Sequence, residues 1–225
     1  MAALLARYPS LPYVLPFATF MAFLGLRPYL PFSPLVRGVV WLVVVALVIV
    51  AVARPVLDLR LRHPLGTIGV GIGVFLIWIA PDQLIPGYRD LVIFQNGITG
   101  RVESTMAVEN RNDGLLVALR FARASLLVPI VEELFWRGWL PRWLDRMEDF
   151  RAVPLGTFTR YSFLATAALF AVEHGPFWDV GLVAGVVYNW WMIRTRSLGD
   201  LIWCHAVTNA CLGAWVLAAG QWQYW

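Results

Sequence analysis

Three short stretches of this sequence set ionisable or amide side chains into strongly apolar surroundings. In VPIVEELFWRG, residues 128–138, Glu133 and Arg137 stand four apart, the spacing at which two side chains pair along one helix face. Glu132 points about 100° away from Glu133 on a helix and is left free for other work. A buried ion pair that only fixes packing would account for Glu133 and Arg137. It does not account for the second carboxylate, because two neighbouring carboxylates in lipid are a poor choice for stability. In LFAVEHG, residues 169–175, His174 ends an apolar run, with Phe170 one turn earlier on the same face. Glu173 stands beside the Gly175-Pro176 break and reads as near the aqueous boundary and secondary. In CHAVTNA, residues 204–210, His205 and Asn209 are four apart, so an imidazole and a carboxamide face one way. Singly, each has a plain alternative: a satisfied core histidine at 174, a structural hydrogen bond between helices at 205 and 209.

Together the plain alternatives weaken. A charged side chain at the centre of a membrane helix costs about 2.5–3.5 kcal/mol on insertion scales. Glu132, His174, His205 and Asn209 come from three separate apolar segments, and each would be unsatisfied facing lipid. They are expected to converge on one polar cavity. Convergence would assemble a carboxylate, two imidazoles and an amide donor, parts suited to activating water and stabilising a tetrahedral intermediate.

The elements that must position these groups read as membrane helices. Apolar residues make up 60% of the 225 and charged residues 14%, well below the roughly 25% of soluble domains, so lipid is the natural solvent. Twelve Trp and seven Tyr suit the lipid–water boundary. Spans of about 17–25 apolar residues are read near 11–26, 36–53, 65–80, 115–140, 161–174, 177–193 and 198–219. The expected fold is an all-α polytopic transmembrane helix bundle of about seven (six to eight) helices. GTIGVGIGVF in the third offers small residues for close helix approach. Residues 81–113 read as a polar connection with a short interfacial helix. The chain reads as one integral membrane domain, 1–225, with N-terminal helices and loop over 1–110 and a catalytic core over 111–225.

Net charge is +4 and every basic residue is Arg, which excludes a Ser–Lys dyad. The Arg residues lie between apolar runs and read as topology signals, with no nucleic-acid patch. Their excess on one side places the N-terminus in the cytoplasm. Cys204 and Cys211 lie seven apart, about 10 Å along a helix, beyond disulfide reach, and read as core residues.

Glu132-Glu133-x-x-x-Arg137, Phe170-x-x-x-His174 and His205-x-x-x-Asn209 resemble, in order, the three motifs of the CAAX-protease and bacteriocin-processing family, also called CPBP or Abi proteins. The resemblance covers roughly residues 110–220. It implies an all-helical membrane fold and an intramembrane endopeptidase acting on a membrane-associated protein or peptide. In that reading Glu132 activates a water, Arg137 orients the glutamates, His174 helps hold the water, and His205 with Asn209 supplies the oxyanion site. No cofactor is expected. Zinc is the alternative, with Glu132, His174 and His205 as ligands, but there is no HExxH and the set is spread over three helices. The opening YVLPFATFMAFLGLRPYLP is similar to bacterial members that accompany exosortase-type protein sorting, called CAAX prenyl protease-related. That makes the bacterial inner membrane the expected location and such a sorting system an expected partner. Two other readings stand beside the protease: a non-catalytic scaffold or immunity protein, and a small transporter relaying protons through Glu132 and His205. The transporter would call for inverted repeats, and none is visible.

Overall fold

Apolar runs buried in lipid become helices because a helix satisfies its own backbone groups without water. The computed structural model describes residues 2–225, and among these residues the chain is built from helices and connections with no β-strand. A short helix α1 (Ala2–Arg7) is followed by α2 (Leu11–Tyr29), α3 (Pro34–Ala53), α4 (Pro64–Leu84) and α5 (Gly114–Asp145). Helices α6 (Arg160–Glu173), α7 (Trp178–Thr195) and α8 (Leu198–Ala219) complete the bundle. By length and composition α2, α3, α4, α5 and α8 can cross a membrane. The fold is an all-α polytopic helical bundle.

Helix ends fall where the sequence supplies caps. Ser33 accepts from the Val36 N–H before Pro34, Asp113 accepts from Leu115 and Leu116, and Ser197 accepts from Asp200. Such side-chain acceptors satisfy the free amides of a first turn. At the far end of α8, Gly220 takes the left-handed conformation (φ +68°) that favours glycine.

Short connections make successive helices antiparallel, so the bundle has two ends. At one end lie the α2–α3 turn, the 85–113 connection, the Gly175–Phe177 turn and the tail from Gly220. Gln83 donates to Gln221 (2.7 Å) and Tyr224 donates to Asp82 (2.8 Å) here. The 85–113 connection holds two 3₁₀ turns, Tyr88–Asp90 and Val108–Asn110, rather than an interfacial α-helix. Arg89 anchors it through Asp82 (2.8 Å) and Asp179 (2.5 Å). At the other end the buried Asp200 accepts from the backbone N–H groups of Arg62 (2.9 Å) and His63 (2.8 Å), which ties the α3–α4 connection to the start of α8.

Helix α5 differs most from the sequence reading. It was expected to stop at Leu140, before Pro141, and it runs to Asp145. Two π-helical segments interrupt it, Arg123–Leu127 and Leu134–Trp139. The second ends at Trp139, and the α-helix restarts at Leu140 with Pro141 in its first turn. There the missing proline N–H would have had no partner anyway. Helices α4 and α8 approach closely at Gly71, where a Cβ would stand 2.6 Å from the Cys204 carbonyl oxygen. Of the small residues expected to allow this, Gly69 and Gly73 meet nothing.

Candidate active site

The two glutamates of α5 have opposite surroundings. Glu133 is fully buried. One nitrogen of Arg137 donates to both of its oxygens (3.1 and 3.2 Å), the i, i+4 pair read from sequence. The Arg137 side chain is also enclosed. Its Nε donates to Asn189 Oδ1 (3.0 Å), its other terminal nitrogen reaches the Gly185 carbonyl (3.4 Å), and its guanidinium lies 4.4 Å from the Phe170 ring centroid. Asn189 in turn donates to the Phe163 carbonyl (2.9 Å). One ion pair thereby ties α5 to α6 and α7. Gly185 also lets α7 approach α6, since a Cβ there would stand 3.1 Å from Ala167 Cα.

His205 joins the same carboxylate from α8, its Nδ1 lying 2.8 Å from Glu133 Oε1. An ionised carboxylate only accepts, so Nδ1 carries the proton and Nε2 is turned away from the pair. The Tyr188 ring lies beside the imidazole at 5.1 Å, and the Tyr188 hydroxyl donates to Thr208 (2.8 Å).

Glu132 is different. It is 6% exposed, it makes no hydrogen bond to the protein, and its Oε2 is enclosed without a partner. It lines a cavity of about 170 Å³ together with His174, His205 and Asn209. His174 Nδ1 lies 2.7 Å from the Phe170 carbonyl. A carbonyl cannot donate, so His174 too is protonated at Nδ1 and its Nε2 is free to accept. Asn209 gives one amide hydrogen to the Ala124 carbonyl (2.9 Å), at the π-helical part of α5, and keeps its second hydrogen and its oxygen. Trp78 packs edge-on to His174 (5.1 Å), and Tyr224 and Trp225 of the tail complete the wall.

Of the six residues singled out in the sequence, four face this cavity, while Glu133 and Arg137 form the buried support behind it. Glu173 accepts from the Trp136 indole (3.0 Å) and is half-buried outside the cavity. The sequence reading did not single out Tyr188 and Asn189. Both sit in GVVYNWW, and an amide inside an apolar helix was a usable signal. Among the described residues no three His, Cys, Asp or Glu side chains are grouped to hold one metal ion.

Residues 114–211 match the family model described as type II CAAX prenyl endopeptidase Rce1-like. The match begins at the first residue of α5 and ends in α8 just beyond Asn209, so all six residues lie within it. No curated protein and no solved structure matches the chain. Over Gly114 to Cys211 the chain is therefore similar to the type II CAAX prenyl endopeptidases, membrane proteases of the CAAX-protease, or CPBP, family.

Proposed function

We propose that the cavity hydrolyses a peptide bond of a membrane-associated protein or peptide with Glu132 as general base. The observation that carries this reading is the Glu132 carboxyl, buried and without a protein partner in a cavity that it shares with the imidazoles of His174 and His205 and the amide of Asn209. Leaving such a group unpaired costs at least about 1–3 kcal/mol, so packing alone gives it no purpose. A water or a substrate does.

In the proposed reaction a water sits between Glu132 and His174 Nε2. Its oxygen attacks the scissile carbonyl carbon while Glu132 takes the proton. The carbonyl oxygen becomes an oxyanion facing His205 Nε2 and the uncommitted Asn209 amide hydrogen. His205, whose Nδ1 is held by Glu133, donates there through Nε2 when both ring nitrogens are protonated. The intermediate collapses by breaking the carbon–nitrogen bond, and the proton held by Glu132 passes to the departing amine. Arg137 acts as a positioning residue: it fixes Glu133, and Glu133 fixes His205. The scheme gives Glu132, His174, His205 and Asn209 one role each and calls for no metal.

The family description names CAAX prenyl substrates. We extend this to peptides presented at the bilayer surface near their carboxyl end, with the aromatic wall of Trp78, Tyr224 and Trp225 accepting apolar side chains or an isoprenoid. The test uses purified protein in liposomes with a peptide ending in a cysteine-headed tripeptide tail, with and without a farnesyl group, in ¹⁸O-labelled water. The expected products are a free amine and a new carboxyl carrying one labelled oxygen. Failure to cleave these peptides, together with no new termini in a solubilised membrane protein extract, would overturn the reading.

A further inference from the structure

Near the same end of the bundle a second pocket, of about 50 Å³, is lined by Arg27, Arg37, Arg120 and Arg123 with Trp41. Four cations meet here from α2, α3 and α5, and none of them makes an ion pair among the described residues. Their protein contacts are few. Arg27 donates to the Thr105 carbonyl (2.5 Å), Arg37 to the Arg27 carbonyl (2.8 Å) and Arg120 to the Thr105 hydroxyl (2.7 Å). Arg123 only lies over the Trp41 ring, 4.1 Å from its centroid. A guanidinium has five N–H donors, so most of the donor capacity here is unspent. Trp41 adds a separate observation: it is 3% exposed, and its indole N–H has no acceptor. Like charges crowded at a membrane helix end repel one another, and an unsatisfied indole donor adds its own cost. Both are relieved by one oxyanion.

An apolar groove runs along α2 up to this pocket. It is lined by Leu15, Ala18, Ala22, Phe23 and Leu26 among others and has a volume of about 440 Å³. Phe23 stacks on Trp41, with ring centroids 6.1 Å apart, so the groove and the pocket share a wall. Leu15 and Leu26 are eleven residues apart, about 16 Å along a helix. That is the depth of one leaflet of a roughly 30 Å hydrocarbon core.

We propose that this surface binds one anionic phospholipid, with its headgroup phosphate among the four arginines and an acyl chain along α2. Charge complementarity selects the anion, because arginine forks match phosphate oxygens and basic pockets between membrane helices hold acidic headgroups. The groove selects a lipid over a free phosphate. The site is separate from the Glu132 cavity, and the proposal stands whether or not that cavity hydrolyses peptides.

Delipidated protein is titrated with phosphatidylglycerol, phosphatidylcholine or inorganic phosphate and followed by native mass spectrometry. The expected result is one phosphatidylglycerol retained per chain, in preference to phosphatidylcholine, with inorganic phosphate a poor competitor. Arg120→Gln and Arg123→Gln should each weaken retention about fivefold and the double variant about thirtyfold, at about 1 kcal/mol per arginine. Arg54→Gln, an equal charge loss on an exposed residue at the other end, should leave retention unchanged. Ala22→Trp fills the groove from the lipid-exposed face without touching an arginine, and it should also weaken retention, which keeps the test independent of whether the glutamine variants fold. Equal binding of the two lipids, effective competition by inorganic phosphate, displacement of the lipid by a peptide carboxylate, or retention indifferent to Ala22→Trp would each overturn the proposal.

Discussion

Replacing Arg137 by Met removes the cation that Glu133 faces inside the bundle. Arg137 gives Glu133 two hydrogen-bond contacts, binds Asn189 and Gly185, and covers the Phe170 ring. Methionine keeps much of the volume over Phe170 but none of the donors. Glu133, with no exposed surface, would be left with His205 alone. Removing one partner of a buried pair costs about 3–5 kcal/mol, chiefly because the other charge stays buried and uncompensated. Asn189 Oδ1 also loses its donor, which adds about 1–3 kcal/mol. The expected loss for Arg137→Met is therefore about 4–8 kcal/mol, enough to unfold many domains of this size. The double variant Glu133→Leu with Arg137→Met removes both charges and should recover about 2–4 kcal/mol of that loss. Equilibrium unfolding in mixed anionic and non-ionic micelles, followed by tryptophan fluorescence, measures both in a double-mutant cycle. A single variant within about 1 kcal/mol of the parent, or a coupling near zero, would show that Glu133 does not depend on Arg137 and would refute the argument.

Other perturbations read different parts of the molecule. Gly71→Ala should cost about 1–3 kcal/mol in the same unfolding assay by forcing α4 from α8, because the new Cβ meets the Cys204 carbonyl oxygen at 2.6 Å. Gly73→Ala, where nothing lies near, should be neutral or slightly stabilising. Asn209→Ala should lower kcat about 10²–10³-fold with little change in KM, as expected for a donor used mainly in the transition state; a raised KM with kcat unchanged in cleavage kinetics would assign it to substrate binding instead. Purified active protein should contain far less than one zinc per chain by elemental analysis and keep its activity in chelator. Loss of activity to chelator with recovery on adding zinc would overturn the metal-free scheme.

Much of the site was legible because lipid makes polar residues costly. Glu132, His174, His205 and Asn209 stand out in apolar runs, and the i, i+4 spacings at 133/137 and 205/209 state which face each takes. What sequence periodicity missed was the break in that periodicity. The π-helical turn at Leu134–Trp139 lets α5 pass Pro141 and reach Asp145, where a regular 3.6-residue repeat had to stop. The roles within the site were also only partly visible. That His205 spends Nδ1 on Glu133 and Asn209 spends one hydrogen on Ala124 depends on how α5 and α8 face each other, which no single helix encodes. Asn189 and Tyr188 were overlooked because they sit between Val186-Val187 and Trp190-Trp191 and follow no catalytic spacing. The likeness of residues 13–31 to exosortase-associated proteins lies outside the matched segment 114–211, so the family match does not reach it.

The central claim concerns one carboxyl, and turnover by Glu132→Gln and Glu133→Gln tests it most directly. Both variants are near-isosteric, and circular dichroism and unfolding midpoint verify that each remains folded. With a peptide cleaved by the parent protein in liposomes, Glu132→Gln should lose at least about 10²–10⁴-fold in kcat, the contribution of a positioned general base. Its stability should change little, because Glu132 makes no side-chain hydrogen bond that the substitution could break. Glu133→Gln should lose stability first, through Arg137 and His205. Glu132→Gln turning over at close to the parent rate would contradict the account.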